Sequence, residues 1–225
     1  MLLGEERKQI VAVGRAIVAN GLAHDGQGNI SIYDRGQGCI AVTPSGIPYE
    51  DRQPEDICVV SLDGKLIEGR WQPTSEIALH LAFYRARADV NAVLHTHARF
   101  STVYSITGKP AMPIVLAETG MLLGGPIPVA PYARPGTEAV GEVTVKSIGQ
   151  GRAALMANHG LVTVAEELDR ALKISVAVEE MAHAIVLASS LSASPEEIEE
   201  NEAKILAAMY DLHVNINQRK SRNDF

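Results

Sequence analysis

Two histidines one residue apart, His95-Thr96-His97, close a run of β-branched and aliphatic residues at 90–95. In an extended strand, side chains at i and i+2 point to the same face, roughly 6.5–7 Å apart along the chain. At a strand end the following loop lets the second ring turn inward, so both imidazoles can converge on one ion. The pair alone is equally compatible with one exposed histidine and one satisfied in the core. His159 supplies a third imidazole in Asn158-His159-Gly160, between two β-like runs, where a glycine permits close backbone approach or positive φ. Three histidines with an open fourth position form the pattern of a catalytic divalent-ion site, whereas structural zinc is usually closed by cysteine. Taken singly, His159 also reads as a solvated turn residue.

Pro73-Thr74-Ser75-Glu76 places a carboxylate directly after two hydroxyls at the start of a helical pattern. One reading is a helix cap with an acidic first turn, favoured by the helix dipole. The functional reading is that Thr74, Ser75 and the free N–H groups bind a phosphate while Glu76 faces the metal as a general base. Gly28-Asn29-Ile30-Ser31 and Thr43-Pro44-Ser45-Gly46 each offer backbone N–H groups and a short polar side chain that suit an oxyanion, and each is also ordinary turn composition. His80 lies four residues after Glu76 on the same helical face and reads as a packing residue or a support for the site.

These residues need elements to position them. Apolar positions at helical spacing predict a helix over 4–21, with Gly21 at its end. Strand-like runs at 30–33 and 39–43 flank a turn at 34–38, a third strand covers 57–62, and Asp63-Gly64 marks a turn. A helix capped by Thr74 or Ser75 runs to about Arg87. The histidine strand at 90–95 precedes a helix at 98–106, and 110–131 reads as irregular, rich in Pro and Gly. Gly136-Thr137 opens a helix to about Ser147. Strands at 153–156 and 161–164 bracket His159, and helices at 165–191 and 195–212 complete the chain. No repeat or long linker appears, so 1–225 reads as a single domain with the last ~10 residues as a tail.

Bulk composition narrows the function. The 225 residues are 46% hydrophobic and 21% charged, with a formal charge of -7. That balance fits a globular core and offers no basic stripe for nucleic acid. The basic cluster Arg219-Lys220 with Arg222 sits in the terminal tail. The most apolar helical stretch is broken by Glu179, Glu180 and His183, so it reads as core or subunit contact and not as a membrane span. The N-terminus lacks a secretory pattern, giving a cytoplasmic expectation. Cys39 and Cys58 are in no paired motif and read as reduced and buried.

Taken together and in order, GNIS, TPSGIPYE, PTSE, HTH, APYARPGT and NHG resemble the class II aldolase/adducin head-domain family over nearly the whole chain. The resemblance implies an α/β fold of three α/β/α layers around a central, mostly antiparallel sheet. It implies a homotetramer with active sites at subunit interfaces. His95, His97 and His159 match the metal ligands, and Glu76 matches the acid/base that also contacts the metal when substrate is absent. Asn29, Ser45, Gly46, Thr74 and Ser75 match a substrate phosphate pocket, with Gly28 shaping its wall. One divalent ion per subunit is implied, Zn²⁺ first, with Mn²⁺ or Co²⁺ also compatible with three imidazoles.

The implied reaction cleaves a ketose 1-phosphate, such as fuculose 1-phosphate or 5-deoxyribulose 1-phosphate, into dihydroxyacetone phosphate and an aldehyde. The ion stabilises the enediolate as a Lewis acid, with no lysine Schiff base. The sequence departs from the fuculose-phosphate pattern at residues 114–118, which contain no tyrosine to protonate the departing aldehyde oxygen. Tyr210 matches a second family tyrosine and, like water, is a candidate for that proton. Leu116 and Met121 suit a more apolar aldehyde, as in 5-deoxy or methylthio ketose phosphates. Related branches offer other outcomes: ribulose-5-phosphate 4-epimerases carry Asp at the position of Glu76, and methylthioribulose-1-phosphate dehydratase shares the Glu. A non-catalytic adducin-like binding module, or a purely structural metal site, stands as the reading from a different class.

Overall fold

The computed structural model describes residues 1–24 and 26–223, with side chains to residue 214. The first helix, α1, spans Gly4–Ala19, and strands β1 (Asn29–Asp34) and β2 (Cys39–Val42) form the expected hairpin. Its turn is fixed by Asp34, whose Oδ1 accepts from the backbone N–H of Gly36 at 2.8 Å and of Gln37 at 3.0 Å. β3 (Cys58–Ser61) turns at Asp63-Gly64 into a short β4 (Leu66–Glu68) that the sequence pattern did not distinguish. Helix α2 (Ile77–Ala86) leads to β5 (Ala92–Thr96) and α3 (Arg99–Ser105).

The segment read as irregular, 110–131, is a correction. It holds β6 (Ala111–Met112), α4 (Ala117–Leu123) and β7 (Ile127–Ala130). The short lengths explain the weak signal, since seven residues of helix (under two turns) and two of strand are too few for a repeating pattern to stand out. α5 (Glu138–Ile148), β8 (Ala153–Met156), β9 (Gly160–Ala165) and α6 (Leu168–Ser190) follow as expected. The last helix, α7, begins at Glu200 instead of 195 and its backbone runs to Asn223. The side chains of the basic cluster at Arg219, Lys220 and Arg222, and the end of the expected tail, lie outside the described residues.

Among the described residues, nine strands form one sheet in the order β4-β3-β2-β1-β5-β9-β8-β7-β6. Neighbours are antiparallel except β7 with β8. Alternation along the strands builds a core on each face. Ile30, Ala41, Val59, Ala92 and Leu94 pack with Ile10, Val13 and Ile17 of α1. Ile40, Val42, Cys58, Val60 and Val93 pack on the other face with Leu79 and Phe83 of α2 and Val140 of α5. The outer part of the first face is completed by α3, α4, α6 and α7, through residues such as Tyr104, Leu122, Met181 and Ala203. The architecture is α/β with helices on both sides of a mostly antiparallel sheet. Cys58 is buried as expected, but Cys39, first in its strand, is half-buried; both thiols are free.

Candidate metal centre and active site

The three central strands meet where the histidines converge. Register pairs Asn29 of β1 with His95 and His95 with Val162 of β9. His95 shares its sheet face with Val93, and that face is covered by α2. Glu76 is therefore brought over the strand end from the start of α2, and His159 from the β8–β9 turn. One ligand atom from each of Glu76, His95, His97 and His159 lies within 4.8 Å of all the others. His95 Nε2 is 2.9 Å from His97 Nε2 and 3.2 Å from Glu76 Oε2, and His159 Nε2 is 3.3 Å from Glu76 Oε1.

These spacings fit a divalent ion. Four ligands at about 2.0–2.1 Å in a tetrahedron stand roughly 3.3 Å from one another. His95 is buried and its Nδ1–H donates to the carbonyl of Leu161 at 2.9 Å, so that the neutral ring would turn its Nε2 lone pair to an ion in the cluster. Glu76 Oε1 is buried with no hydrogen-bond partner, as a ligand oxygen would be. Gly160 is needed for close approach: a Cβ there would sit 2.5 Å from the Thr96 carbonyl oxygen and 3.2–3.3 Å from the rings of His95 and His97. The positive φ of this turn falls on Asn158 instead, at 58°.

Glu76 occupies the position just before α2, not its first turn, and no side chain caps that helix. Thr74 instead braces the approach: its Oγ1 accepts from the Glu76 N–H at 3.3 Å and its carbonyl from the Ile77 N–H at 3.2 Å. Burial works against ionisation of Glu76, but the facing His95, the Asn29 amide and His159 outweigh it and hold the carboxyl well below the usual range. Burial and the neighbouring imidazoles push His97 and His159 down to about 4, so both are neutral and able to ligate near pH 7. The segment after His97 is held by Glu179 of α6, which accepts from the N–H groups of Phe100 (2.7 Å) and Ser101 (2.8 Å).

The two loops assigned to a phosphate lie side by side. Pro44 and Pro73 form an isolated antiparallel bridge. Thr74 N–H donates to the Thr43 carbonyl, Ser45 N–H to the Gln72 carbonyl and Ser45 Oγ to the Pro73 carbonyl, each at 3.0 Å. Ser45, Gly46 and Ser75 are exposed at this junction, and Gly46 takes φ 75° with open space around it. Gly28 has φ 79°, and a Cβ there would meet the His95 carbonyl oxygen at 2.5 Å, so the loop can press against the metal strand only as glycine. Asn29 is buried and bonds Glu76 Oε2 through Nδ2 at 2.9 Å.

Tyr210 is not brought to this cluster. Its hydroxyl is 3.3 Å from Lys173 Nζ, in an apolar cleft of about 480 Å³ that Met121, Leu172 and Val176 also line. The residue that sequence reasoning undervalued is His80. It is fully buried, with Nε2 2.6 Å from Asn29 Oδ1 and Nδ1 2.6 Å from Ser31 Oγ. Its signal was present as polar residues at 80 and 84 on α2, in line with 76 just before it, facing those at 29 and 31 on β1.

The family described as Class II Aldolase and Adducin N-terminal domain matches residues 8–186, most of the chain. The chain belongs to that family. Class II aldolases of this family include a 5-deoxy-D-ribulose 1-phosphate aldolase from Bacillus thuringiensis serovar kurstaki, 35% identical over 94% of this chain and 98% of its own. The L-fuculose phosphate aldolase of Escherichia coli (strain K12) is 36% identical over 78% of this chain and 80% of its own. A solved L-fuculose 1-phosphate aldolase superposes with a TM-score of 0.87 at 29% identity, covering 92% of this chain and 96% of that one. With the Glu/His₃ cluster, these likenesses make the chain a metal-dependent aldehyde-lyase of the class II sugar-phosphate aldolases. The reading as a non-catalytic module falls, because the full ligand set is assembled.

Buried, neutral His80 has a consequence for stability. Burial, then repulsion from His95, pushes its pKa down to about 3 from an ordinary value near 6.5. Between those values the unfolded chain holds a proton on this imidazole and the folded one does not. Stability is therefore complete above about pH 6.5 and is lost progressively as pH falls toward 3. In the metal-free protein His97 and His159 add to the loss in the same direction. Urea midpoints of metal-free protein should drop between pH 7.5 and pH 5, and less steeply in His80→Gln; a flat midpoint would contradict the buried neutral ring.

Proposed function

We propose that this class II aldolase cleaves a 5-deoxyketose 1-phosphate, with 5-deoxyribulose 1-phosphate the first candidate, into dihydroxyacetone phosphate and an apolar aldehyde. The observation that carries the reading is the convergence of Glu76, His95, His97 and His159 beside two cross-braced loops that expose Ser45, Gly46 and Ser75. The substrate preference is supported by the near-complete alignment with the 5-deoxy-D-ribulose 1-phosphate aldolase and by the absence of a hydroxyl-bearing side chain at residues 114–118.

His95, His97 and His159 would hold one divalent ion, Zn²⁺ first, with Glu76 as a fourth ligand in the resting site. When bound, the ion supplies Lewis-acid stabilisation for the negative charge left by carbon–carbon cleavage. Ser45, Gly46, Thr74 and Ser75, with Asn29 and Gly28 behind them, would anchor the phosphate, fixing the half of the substrate that does not react. Glu76 is held at one oxygen by Asn29, while Oε1 has no hydrogen-bond partner. Oε1 is the atom that would move the proton to or from the carbon of the dihydroxyacetone phosphate half.

Tyr210 and Met121 share one apolar cleft, and none of the four cluster residues lines it. They would serve the site only from a neighbouring copy, consistent with a homotetramer whose active sites lie between subunits. No helix among the described residues is long and apolar enough to cross a membrane; we assign the enzyme to the cytoplasm. The test is a comparison of kcat/KM across 5-deoxyribulose, methylthioribulose and fuculose 1-phosphates. The 5-deoxy or methylthio substrate should lead by roughly tenfold or more, the scale of one or two methylene-sized pocket differences. A lead for fuculose 1-phosphate would overturn the preference, and water elimination from the methylthio substrate without dihydroxyacetone phosphate would move the chain to the dehydratase branch.

A further inference from the structure

Behind Glu76 runs a buried chain of side chains that the proposed chemistry does not itself use. Glu76, just before α2, and His80 and Tyr84 within it stand four residues apart along the side that faces the sheet, and Asn29 and Ser31 stand two apart on the facing side of β1. The contacts are Glu76 Oε2 to Asn29 Nδ2 (2.9 Å), Asn29 Oδ1 to His80 Nε2, His80 Nδ1 to Ser31 Oγ and Ser31 Oγ to Tyr84 Oη, the last three each 2.6 Å. All five residues are buried.

Donor and acceptor chemistry gives this chain one direction. An ionised carboxylate only accepts, so the Asn29 amide must turn its NH₂ to Glu76 and its oxygen to His80. That oxygen requires a donor, so His80 carries its proton on Nε2. Nδ1 is then an acceptor, Ser31 must donate to it, and the one remaining arrangement has the Tyr84 hydroxyl donating to Ser31. The reversed amide would set its oxygen against the carboxylate. His80 is kept neutral by burial, which removes the second ring proton that would break the sequence.

We infer that His80 is a positioning residue: through its Nε2–H it locks the Asn29 amide, which pins Glu76 Oε2 and leaves Oε1 free to move the proton. Ser31 and Tyr84 fix the tautomer that makes this possible. The inference rests on the reading of Glu76 as the acid/base. It predicts that the imidazole can be exchanged for another side chain that offers an N–H in the same place, but not for an apolar one.

The test combines a spectrum and a rate split. In ¹⁵N-histidine-labelled protein, the signal lost in His80→Gln should show a neutral ring protonated at Nε2; a ring protonated at Nδ1, or at both nitrogens, overturns the inference without any need for a variant to be active. In the zinc-loaded enzyme, His80→Leu should lower kcat by roughly 10- to 100-fold with KM nearly unchanged, the usual scale for loss of a supporting partner at a metal site. His80→Gln should recover most of that loss, and Ser31→Ala should fall between them. Equal losses in the Leu and Gln variants, or an effect confined to KM, would sink the positioning role. Exchange of the dihydroxyacetone phosphate C–H in D₂O separates the two readings. A wild-type enzyme that does not exchange it refutes Glu76 as the acid/base. Wild-type exchange that is undiminished in His80→Leu refutes the positioning role alone.

Discussion

Glu76→Gln is expected to lower kcat for retro-aldol cleavage by roughly 10²–10⁴-fold, the range that a positioned general acid–base contributes. Gln preserves the length of the side chain and keeps an oxygen to accept from Asn29 Nδ2, the contact that orients the native carboxylate at 2.9 Å. What it loses is the ability to take and return a proton at the position of Oε1, which is buried and has no competing hydrogen bond. The histidines are untouched, so bound metal measured by elemental analysis should stay near one per chain. Turnover within tenfold of wild type in a metal-replete Glu76→Gln enzyme would place the acid/base elsewhere.

The second large effect is loss of the ion. His159→Ala and His97→Ala should each strip most of the metal at micromolar protein and reduce activity by about 10³-fold or more. Lewis-acid stabilisation is worth several kcal/mol, and each 1.36 kcal/mol is tenfold in rate. These two positions are better probes than His95, which is fully buried and donates to the Leu161 carbonyl inside the sheet. His97 is half-buried and the His159 side chain is 9% exposed, in a turn, so truncation there removes a ligand with less harm to the core. Retained activity with no metal in either variant would contradict the assignment of the cluster.

Much of this site was legible in the sequence because its elements carry strong local signals. The i, i+2 histidines sit at the end of a continuous aliphatic strand, and Asn158-His159-Gly160 interrupts two others. Strand period places His95 on one sheet face, while His97 and His159 lie just past strand ends, where only the fold decides that they converge. The role of Gly160 was half legible: a special backbone requirement was evident, but only the fold shows that it is close approach to Thr96 and not positive φ. The pairing of the loops at 43–46 and 73–75 depended on the bridge between Pro44 and Pro73, a non-local contact that no spacing announces.

What escaped sequence reasoning did so for identifiable reasons. β4, β6 and α4 are too short to show a repeated pattern and lie among glycines and prolines. Glu76 was expected within the first turn of α2, yet it stands just before the helix, freed to turn toward the histidines because Thr74 takes over the local hydrogen bonds. His80 was visible at the right helical spacing from Glu76, but its partners Asn29 and Ser31 come from β1, about fifty residues away in sequence. Tyr210 carries a family likeness, and within one chain it faces Lys173 and an apolar cleft.

The central claim is metal-dependent aldol cleavage, and release of dihydroxyacetone phosphate from 5-deoxyribulose 1-phosphate, followed before and after chelation, tests it most directly. Product that disappears with chelator and returns with added Zn²⁺ or Mn²⁺ is the expected result. Metal-loaded enzyme that yields no dihydroxyacetone phosphate from this or any other ketose 1-phosphate, or product formation indifferent to chelation, would contradict it.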